Sequence, residues 1–399
     1  MSPALAFDLC VVGMGVAGLS QTFVALKRGL RVAIVGQERE THGSSVQNFG
    51  FFCPIGQPAG PRLEAALLSR DLWLEALAGS GCMQRATGSL LTVQTDAELA
   101  VIEAFQAGAE AKGYRTRLLS PDEAAAKSPA VRRELCRGGL FSDTEINIDP
   151  RQAIPAVLAR CLAEGATAFR SAAVAFDDDK TLVLADGRRI RAERFVLCEG
   201  QEPRKLFPQV FAAQAESLKL CKLQMFKRQA PPGFDLGPVL WSGLSLPFYP
   251  CFRDIPGVDA VRDEMNRRDP RIWERGVHLL ASQDRFGNLV LGDSHDYSDE
   301  AQNSFLDEEV FSLIERELET AFSLPSGKPL ERWAGHYLKR FGGAFFCHDV
   351  SASIRILNGF GGAGMTLALG VAEMMARNWS DLDILNGLLD RKSNWSCNI

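Results

Sequence analysis

The sequence predicts an α/β protein of two domains, the first of them Rossmann-like, and three observations carry that reading. A strand, a glycine turn and a helix open the chain as FDLCVVGMGVAGLSQTFVALKR. A second strand, glycine turn and helix, SIRILNGFGGAGMTLALGVAEMMA, lies near its other end. Between them a β-rich stretch closes on the strand FVLCEG, ending at Gly200. With 399 residues, 46% of them hydrophobic, the chain can bury a sizeable core and is long enough for two domains.

Taken in order, Phe7 to Val12 reads as a strand, Ala17 to Arg28 as a helix and Arg31 to Val35 as a second strand, the start of a parallel sheet. A polar loop from Gln37 to Ser45 and a Gly/Pro-rich passage from Pro54 to Pro61 follow, where the change of composition suggests a domain crossing. Leu63, Leu67, Leu74 and Leu77 then give a helix one apolar face. Ser120 with Glu123 spells a capping box, and Asp149-Pro150 supplies an N-cap and first helical residue for a helix to about Glu164. AVAF, TLVLADGRRIRA with its Asp186-Gly187 turn, and FVLCEG read as strands. CKLQMF, VHLLAS and NLVLGDSHDY read as a second sheet, before a helix from about Asp307 to Phe322.

The formal net charge of -5 provides no basic footprint for a phosphate backbone, so nucleic acid is not an expected partner. No apolar run reaches the ~18 to 20 residues a bilayer crossing needs, and the N-terminus does not read as a secretory signal. The expectation is a cytoplasmic protein without a membrane partner. None of the ten cysteines forms a CxxC pair, so no metal is expected, and Cys10 and Cys198 read as small hydrophobes within strands.

Gly13-Met14-Gly15-Val16-Ala17-Gly18 is a GxGxxG set between strand and helix, the context in which it binds a dinucleotide. The first glycine turns the chain, the second admits the pyrophosphate and the third lets helix and strand touch, while the helix start offers free N–H groups. An acid is expected about 20 residues on to hold the adenosine ribose; here Val35 is followed by Gly36. Gln37 or Glu38 can take that role, and Arg39 beside them leaves a 2'-phosphate reading open. In THGSSVQNFG, Ser44 and Ser45 suit a second approach to the diphosphate, Asn48 and Gly50 bring backbone near a planar ring, and His42 reads as a solvated loop histidine. Gly361, Gly362 and Gly364, with Met365 and Thr366, start an apolar helix aimed at something negative. At GDSHDY an apolar strand ends in polar groups, with His295 as the substrate-side candidate, and RWAGHYLKR places Tyr337, Lys339 and Arg340 just before the last strand, Lys339 at the end of a strand-like segment.

Together GMGVAG, GSSVQNFG, FVLCEG and GFGGAGMTLALG resemble the D-amino-acid oxidase-like FAD-dependent oxidoreductases, which include glycine and sarcosine oxidases; the resemblance spans the chain. SVQNFG with PIGQ, GSLLTVQ, DPRQAIP, CKLQM, GDSHDY, RWAGHYLKR and GGAGMTL are similar to a bacterial subgroup associated with phosphonate catabolism, whose proposed substrates are aminoethylphosphonate relatives. The resemblance implies a discontinuous FAD-binding domain (1–54, 146–217 and 331–399) and a substrate domain with a mixed sheet and flanking helices (55–145 and 218–330). It implies non-covalent FAD, held by the three glycine segments and by positions near Val174 and Gly200. It also implies hydride transfer from the carbon next to a neutral amine to flavin N5, giving an imine and then an aldehyde, with oxygen or an electron carrier as acceptor. Lys339, Tyr337, His295, Gln57 and Asn48 are then the catalytic and substrate candidates, facing a small anionic amine. Two rivals share the cofactor: a dehydrogenase of a small hydroxy acid with His295 as base, and a flavin-binding subunit without turnover. Gly36 and the stretch GGAFFCHDVSAS depart from the family pattern; the latter is expected to be a loop shaping substrate preference.

Overall fold

The computed structural model describes residues 5–38, 42–202, 205–300, 303–377, 379 and 388. Arg39 and Cys397 lie outside them.

Leu5–Val12 is a central strand, pairing in parallel with Val32–Val35 on one edge and Arg189–Leu197 on the other. Thr167–Phe169 extends the parallel sheet beyond Val32–Val35, and Ile354–Asn358 extends it beyond the end of Arg189–Leu197. Val32–Val35 is apolar and buried at every position, as a parallel strand covered on both faces must be. The two faces follow the alternation of a strand: Leu9 and Val11 enter one apolar cluster, Cys10 and Val12 another. The Asp186-Gly187 turn forms as expected, with Gly187 at φ +85° and the Asp186 carboxylate accepting from Arg188 N, and it joins Thr181–Leu184 antiparallel to Arg189–Leu197.

Helices Val16–Lys27, Pro150–Ala163 and Gly364–Arg377 cover one face of this sheet. Asp149 caps Pro150–Ala163 through Arg151 N at 2.9 Å, and Ser120 and Glu123 form the expected reciprocal cap of Pro121–Lys127. The leucine-rich helix Pro61–Ala76 packs against Gly364–Arg377: a Cβ at Gly370 would lie 1.9 Å from Ala65 O, so glycine lets the two helices meet backbone to backbone. This helix falls within the expected substrate segment 55–145, yet Ala65, Ala66, Leu72 and Trp73 join the apolar cluster of the first sheet.

The second, larger sheet is mixed. Leu218–Arg228 carries Pro329–Arg340 along one edge and both Leu289–Gly292 and Asp296–Ser298 along the other. The sheet continues through Leu280–Gln283, Val239–Ser242, Ser89–Val93, Gly138–Ser142 and Thr116–Leu119. The helix Glu308–Ala321, capped by Asp307, buries Phe311, Ile314 and Leu318 against it. The expected boundary at residue 331 runs through Pro329–Arg340, whose pairing with Leu218–Arg228 extends from Pro329 to Arg340. GGAFFCHDVSAS is not a plain loop. Phe346–Asp349 pairs antiparallel with Ile354–Asn358, and Phe345 and Phe346 are buried, so aromatic residues that look misplaced in a loop belong to a core hairpin. Among the described residues no helix is long and apolar enough to cross a membrane, and the nine described cysteines are free thiols.

Candidate functional site

One cavity of about 250 Å³ lies between the first sheet and the second, lined at one end by Val16, Ser44 and Ser45 and at the other by Trp273, His278 and His295. Of the first glycine turn only Val16 lines it; Gly13, Gly15 and Gly18 stand behind the lining. Gly13 has φ +114°, and a Cβ there would sit 2.2 Å from Cys198 O, at the end of the neighbouring strand. A Cβ at Gly18 would sit 1.9 Å from Gly13 O. These two glycines are thus required by backbone meeting backbone, before any ligand is considered. Gly15 is closed only by the Ser45 hydroxyl, 2.9 Å from its Cβ position, and the same hydroxyl accepts from Val16 N at 2.9 Å. Ser45 therefore ties the polar loop to the helix start.

The second glycine turn borders the same cavity. Gly361–Ala363 forms a short 3-10 turn leading into the helix Gly364–Arg377. A Cβ at Gly362 would have no protein atom nearer than Tyr337 Oη at 3.9 Å, and one at Gly364 would only touch Val16 Cγ1 at 3.4 Å. The chain leaves space at Gly362 that its own atoms do not use. Two long helices thus begin at one cavity, and their partial positive ends suit an anionic or electron-accepting group. Thr366 Oγ1 accepts from Cys53 N and Met365 O accepts from Trp73 Nε1, which fix this helix start to the neighbouring segments.

The wall opposite comes from the second sheet. Gly335, Tyr337 and Lys339 line the cavity from one face of Pro329–Arg340, and Leu223 and Met225 line it from its partner strand, as a period of two dictates. Lys339 Nζ donates to Tyr297 Oη at 2.9 Å and lies 4.9 Å from the Tyr297 ring and 5.0 Å from that of Phe341. His295 holds its Nδ1 to Gly276 O at 3.2 Å; burial first, then the Lys339 charge, pushes its pKa down to about 3, so the ring is neutral. Beside it His278 is also neutral, pushed well below the usual histidine value by burial, His295 and Lys339, while burial raises the Asp293 carboxyl well above the carboxylate range. Phe248 and Trp273 stack at 5.1 Å and close this end.

Most of the residues singled out in the sequence meet here. Val16, Ser44, Ser45, Asn48, Gln57, His295, Tyr337, Lys339, Gly361, Gly362, Gly364, Met365 and Thr366 all line the cavity. Asn48, however, spends its side chain on its own turn, donating to Ser44 O and accepting from Gly50 N, both at 2.8 Å. Gly50 does not line the cavity: its φ is +66°, and the space of a Cβ is taken by Ile148 O at 1.7 Å, so it is a strand-packing glycine. Val174 is half exposed, Gln37 and His42 are exposed, and Gly200 accepts from Asn358 Nδ2; none of the four lines the cavity. Ala17, one residue inside the helix, packs against the apolar cluster of the first sheet.

Gly36 has a structural reason. A Cβ there would lie 2.8 Å from Met14 Cγ, and Met14 Sδ is held by Arg170 Nη1 at 2.9 Å. The methionine in the glycine turn fills the place an acid would take. Sequence reasoning missed His278, Tyr249 and Trp273. A polar residue interrupting the apolar run VHLLA was the one local sign of His278.

A family model described as FAD dependent oxidoreductase matches residues 8–378. The fold is shared with L-proline dehydrogenase from P. horikoshii at 17% identity, covering 94% of this chain and 93% of that one with a TM-score of 0.76. It is shared with glycine oxidase from Bacillus cereus at 15% identity, covering 98% and 100% with a TM-score of 0.75. Iminodiacetate oxidase from Chelativorans sp. BNC1 matches at 18% identity, covering 96% and 97% with a TM-score of 0.70. No curated protein matches the sequence. The chain belongs to the FAD dependent oxidoreductase family, and FAD is its cofactor.

Proposed function

We propose that this FAD-dependent oxidoreductase oxidises a small anionic amine at the carbon next to nitrogen, with an aminoethylphosphonate derivative as the leading substrate. The observation that carries the reading is the pairing, across one cavity, of the open glycine-led helix start at Gly361–Thr366 with Lys339, Tyr337 and His295. The glycine turns at Gly13–Gly18 and Gly361–Gly364, with Ser44 and Ser45, would hold the flavin, and the space at Gly362 fits close approach of a ring. Bound flavin supplies hydride acceptance at N5.

This chain's own residues do the rest. Lys339 pairs with the anionic head, steadied by Tyr297. Its charge disfavours an ammonium nearby, so the amine binds in the uncharged form that oxidation requires, and the neutral imidazole of His295 can accept its proton. Phe248, Tyr249 and Trp273 keep water from the far end, and the helix starting at Gly364 favours negative charge developing beside it. The resulting imine hydrolyses to an aldehyde once it meets water. The cofactor is expected to be non-covalent, released as free FAD on acid precipitation; a yellow pellet would show a covalent link instead.

One observation favours a second reading. A neutral His295 with Nδ1 fixed on Gly276 O is equipped to take a hydroxyl proton through Nε2, as the oxidation of a small hydroxy acid requires. An anaerobic screen of amines, aminophosphonates and hydroxy acids, read as loss of flavin absorbance, decides between them. Bleaching by an anionic amine supports the proposal, and bleaching by hydroxy acids alone replaces it. Flavin colour that none of these compounds bleaches marks a flavin-binding protein without turnover on these classes.

A further inference from the structure

The wall of the cavity contains a cluster of which the amine reading uses only His295. His278, Asp293 and His295 stand together at the far end, with Asp293 Oδ1 3.8 Å from His278 Nε2 and Asp293 Oδ2 3.7 Å from His295 Nε2. The two imidazoles lie 4.7 Å apart and within 13° of parallel. Neither distance is a hydrogen bond. The side chains are 10%, 6% and 11% exposed, and both Asp293 Oδ1 and His278 Nδ1 are buried with no hydrogen-bond partner. Buried polar atoms without partners are costly, about 1–3 kcal/mol each, so an unpaired carboxylate oxygen aimed at an imidazole nitrogen signals a missing third party.

The backbone fixes these groups in place. His278 and Asp293 exchange both main-chain hydrogen bonds, at 3.3 and 3.0 Å, and His295 N donates to Arg275 O at 2.8 Å. The Gly276 carbonyl at Nδ1 of His295 sets that ring as the tautomer with its lone pair on Nε2, toward Asp293. This is the outer-shell arrangement by which ligating histidines are oriented. Two nitrogens and one carboxylate oxygen all fall within 4.8 Å of one another. Ligand atoms around one tetrahedral or octahedral ion stand roughly 3–3.5 Å apart, so the side chains must draw together by up to about 1 Å, a change of side-chain torsions, to complete the shell.

We propose that His278, Asp293 and His295 form a binding site for a first-row divalent cation with nitrogen and oxygen preference, Zn²⁺ being the probe, with an open coordination position toward the cavity. Two histidines and one carboxylate are a ligand set such ions accept while keeping a vacancy. All three residues line the cavity that Lys339 shares. If the substrate is the proposed anionic amine, the cation and Lys339 together would balance a doubly charged phosphonate head; the cation site itself does not depend on that reading.

The test uses FAD-loaded enzyme, stripped with a chelator, dialysed against Zn²⁺ without substrate and assayed for metal. One tightly held equivalent per chain is expected, with affinity roughly a hundredfold lower in both Asp293→Asn and His278→Gln at unchanged flavin content. If either variant fails to fold, the other still decides. A wild-type enzyme that takes up no stoichiometric Zn²⁺ overturns the proposal, since the carboxyl is then satisfied by a proton; equal uptake by wild type and the folded variants overturns it by placing the ion elsewhere. Because no amine is present, failure here leaves the amine reading standing, and a failed amine screen leaves the cation site standing.

Discussion

The two glycine turns that border the cavity are alike in sequence and opposite in what their glycines avoid. At Gly13 and Gly18 the missing side chains make room for Cys198 O and Gly13 O, backbone atoms that cannot move. At Gly362 the nearest atom is 3.9 Å away, and at Gly361 the nearest is Lys339 Cγ at 3.1 Å, part of a flexible side chain. The first turn is a glycine motif because the sheet and helix must touch; the second leaves room for something that is not protein. The same letter in the sequence therefore reports a backbone contact in one place and open space in the other.

That contrast sets the largest expected effect. Gly18→Ala forces a Cβ into Gly13 O and should destabilise by about 3 kcal/mol or more, read by chemical denaturation or as loss of folded protein. A variant with the wild-type midpoint would break the comparison. Gly362→Ala should fold normally and weaken FAD several-fold, while Gly362→Asp should fold yet lose FAD or its reduction by at least about tenfold, since a negative charge opposes the helix start. FAD titration of the apoprotein and thermal unfolding separate the two effects, and near-normal reduction in Gly362→Asp would remove this turn from the site.

Lys339→Met comes next. It removes the charge and keeps the length, and should raise KM for an aminophosphonate roughly tenfold or more, with little change for an uncharged amine of similar size. Equal small changes for both would return Lys339 to a structural role with Tyr297. The smallest effect belongs to Glu199, which follows the Cys198 carbonyl that packs on Gly13. Burial raises its pKa to about 7 from the usual 4.5. The folded state then holds a proton that the unfolded chain gives up between those values, so this group makes stability fall as pH rises from about 4.5 through 7. Glu199→Gln should stabilise by about 1 kcal/mol at pH 8, discounted for partial exposure, and leave stability at pH 4.5 unchanged. A variant whose unfolding midpoint tracks the wild type from pH 5 to 8 would sink that account.

The sequence by itself determined the segments whose meaning lies in neighbouring residues. The strand, glycine turn and helix at 7–28, the capping residues Ser120 and Asp149, and the Asp186-Gly187 hairpin are short-range consequences of backbone geometry, and they stand where expected. It also singled out Tyr337 and Lys339, and the structure sets them on one strand face of the cavity wall. Only the tertiary structure decided why Gly36 lacks an acid, since Met14 and Arg170 meet there from segments 22 and 134 residues away in numbering, that is 36 − 14 and 170 − 36. It alone distinguished Gly50, a packing glycine, from Gly362, an open one. It alone brought His278 beside Asp293 and His295, through the pairing of strands whose register no single strand specifies. Local motifs fix φ and ψ over a few residues; convergence of side chains is fixed by which strands pair, and that is settled by the core as a whole.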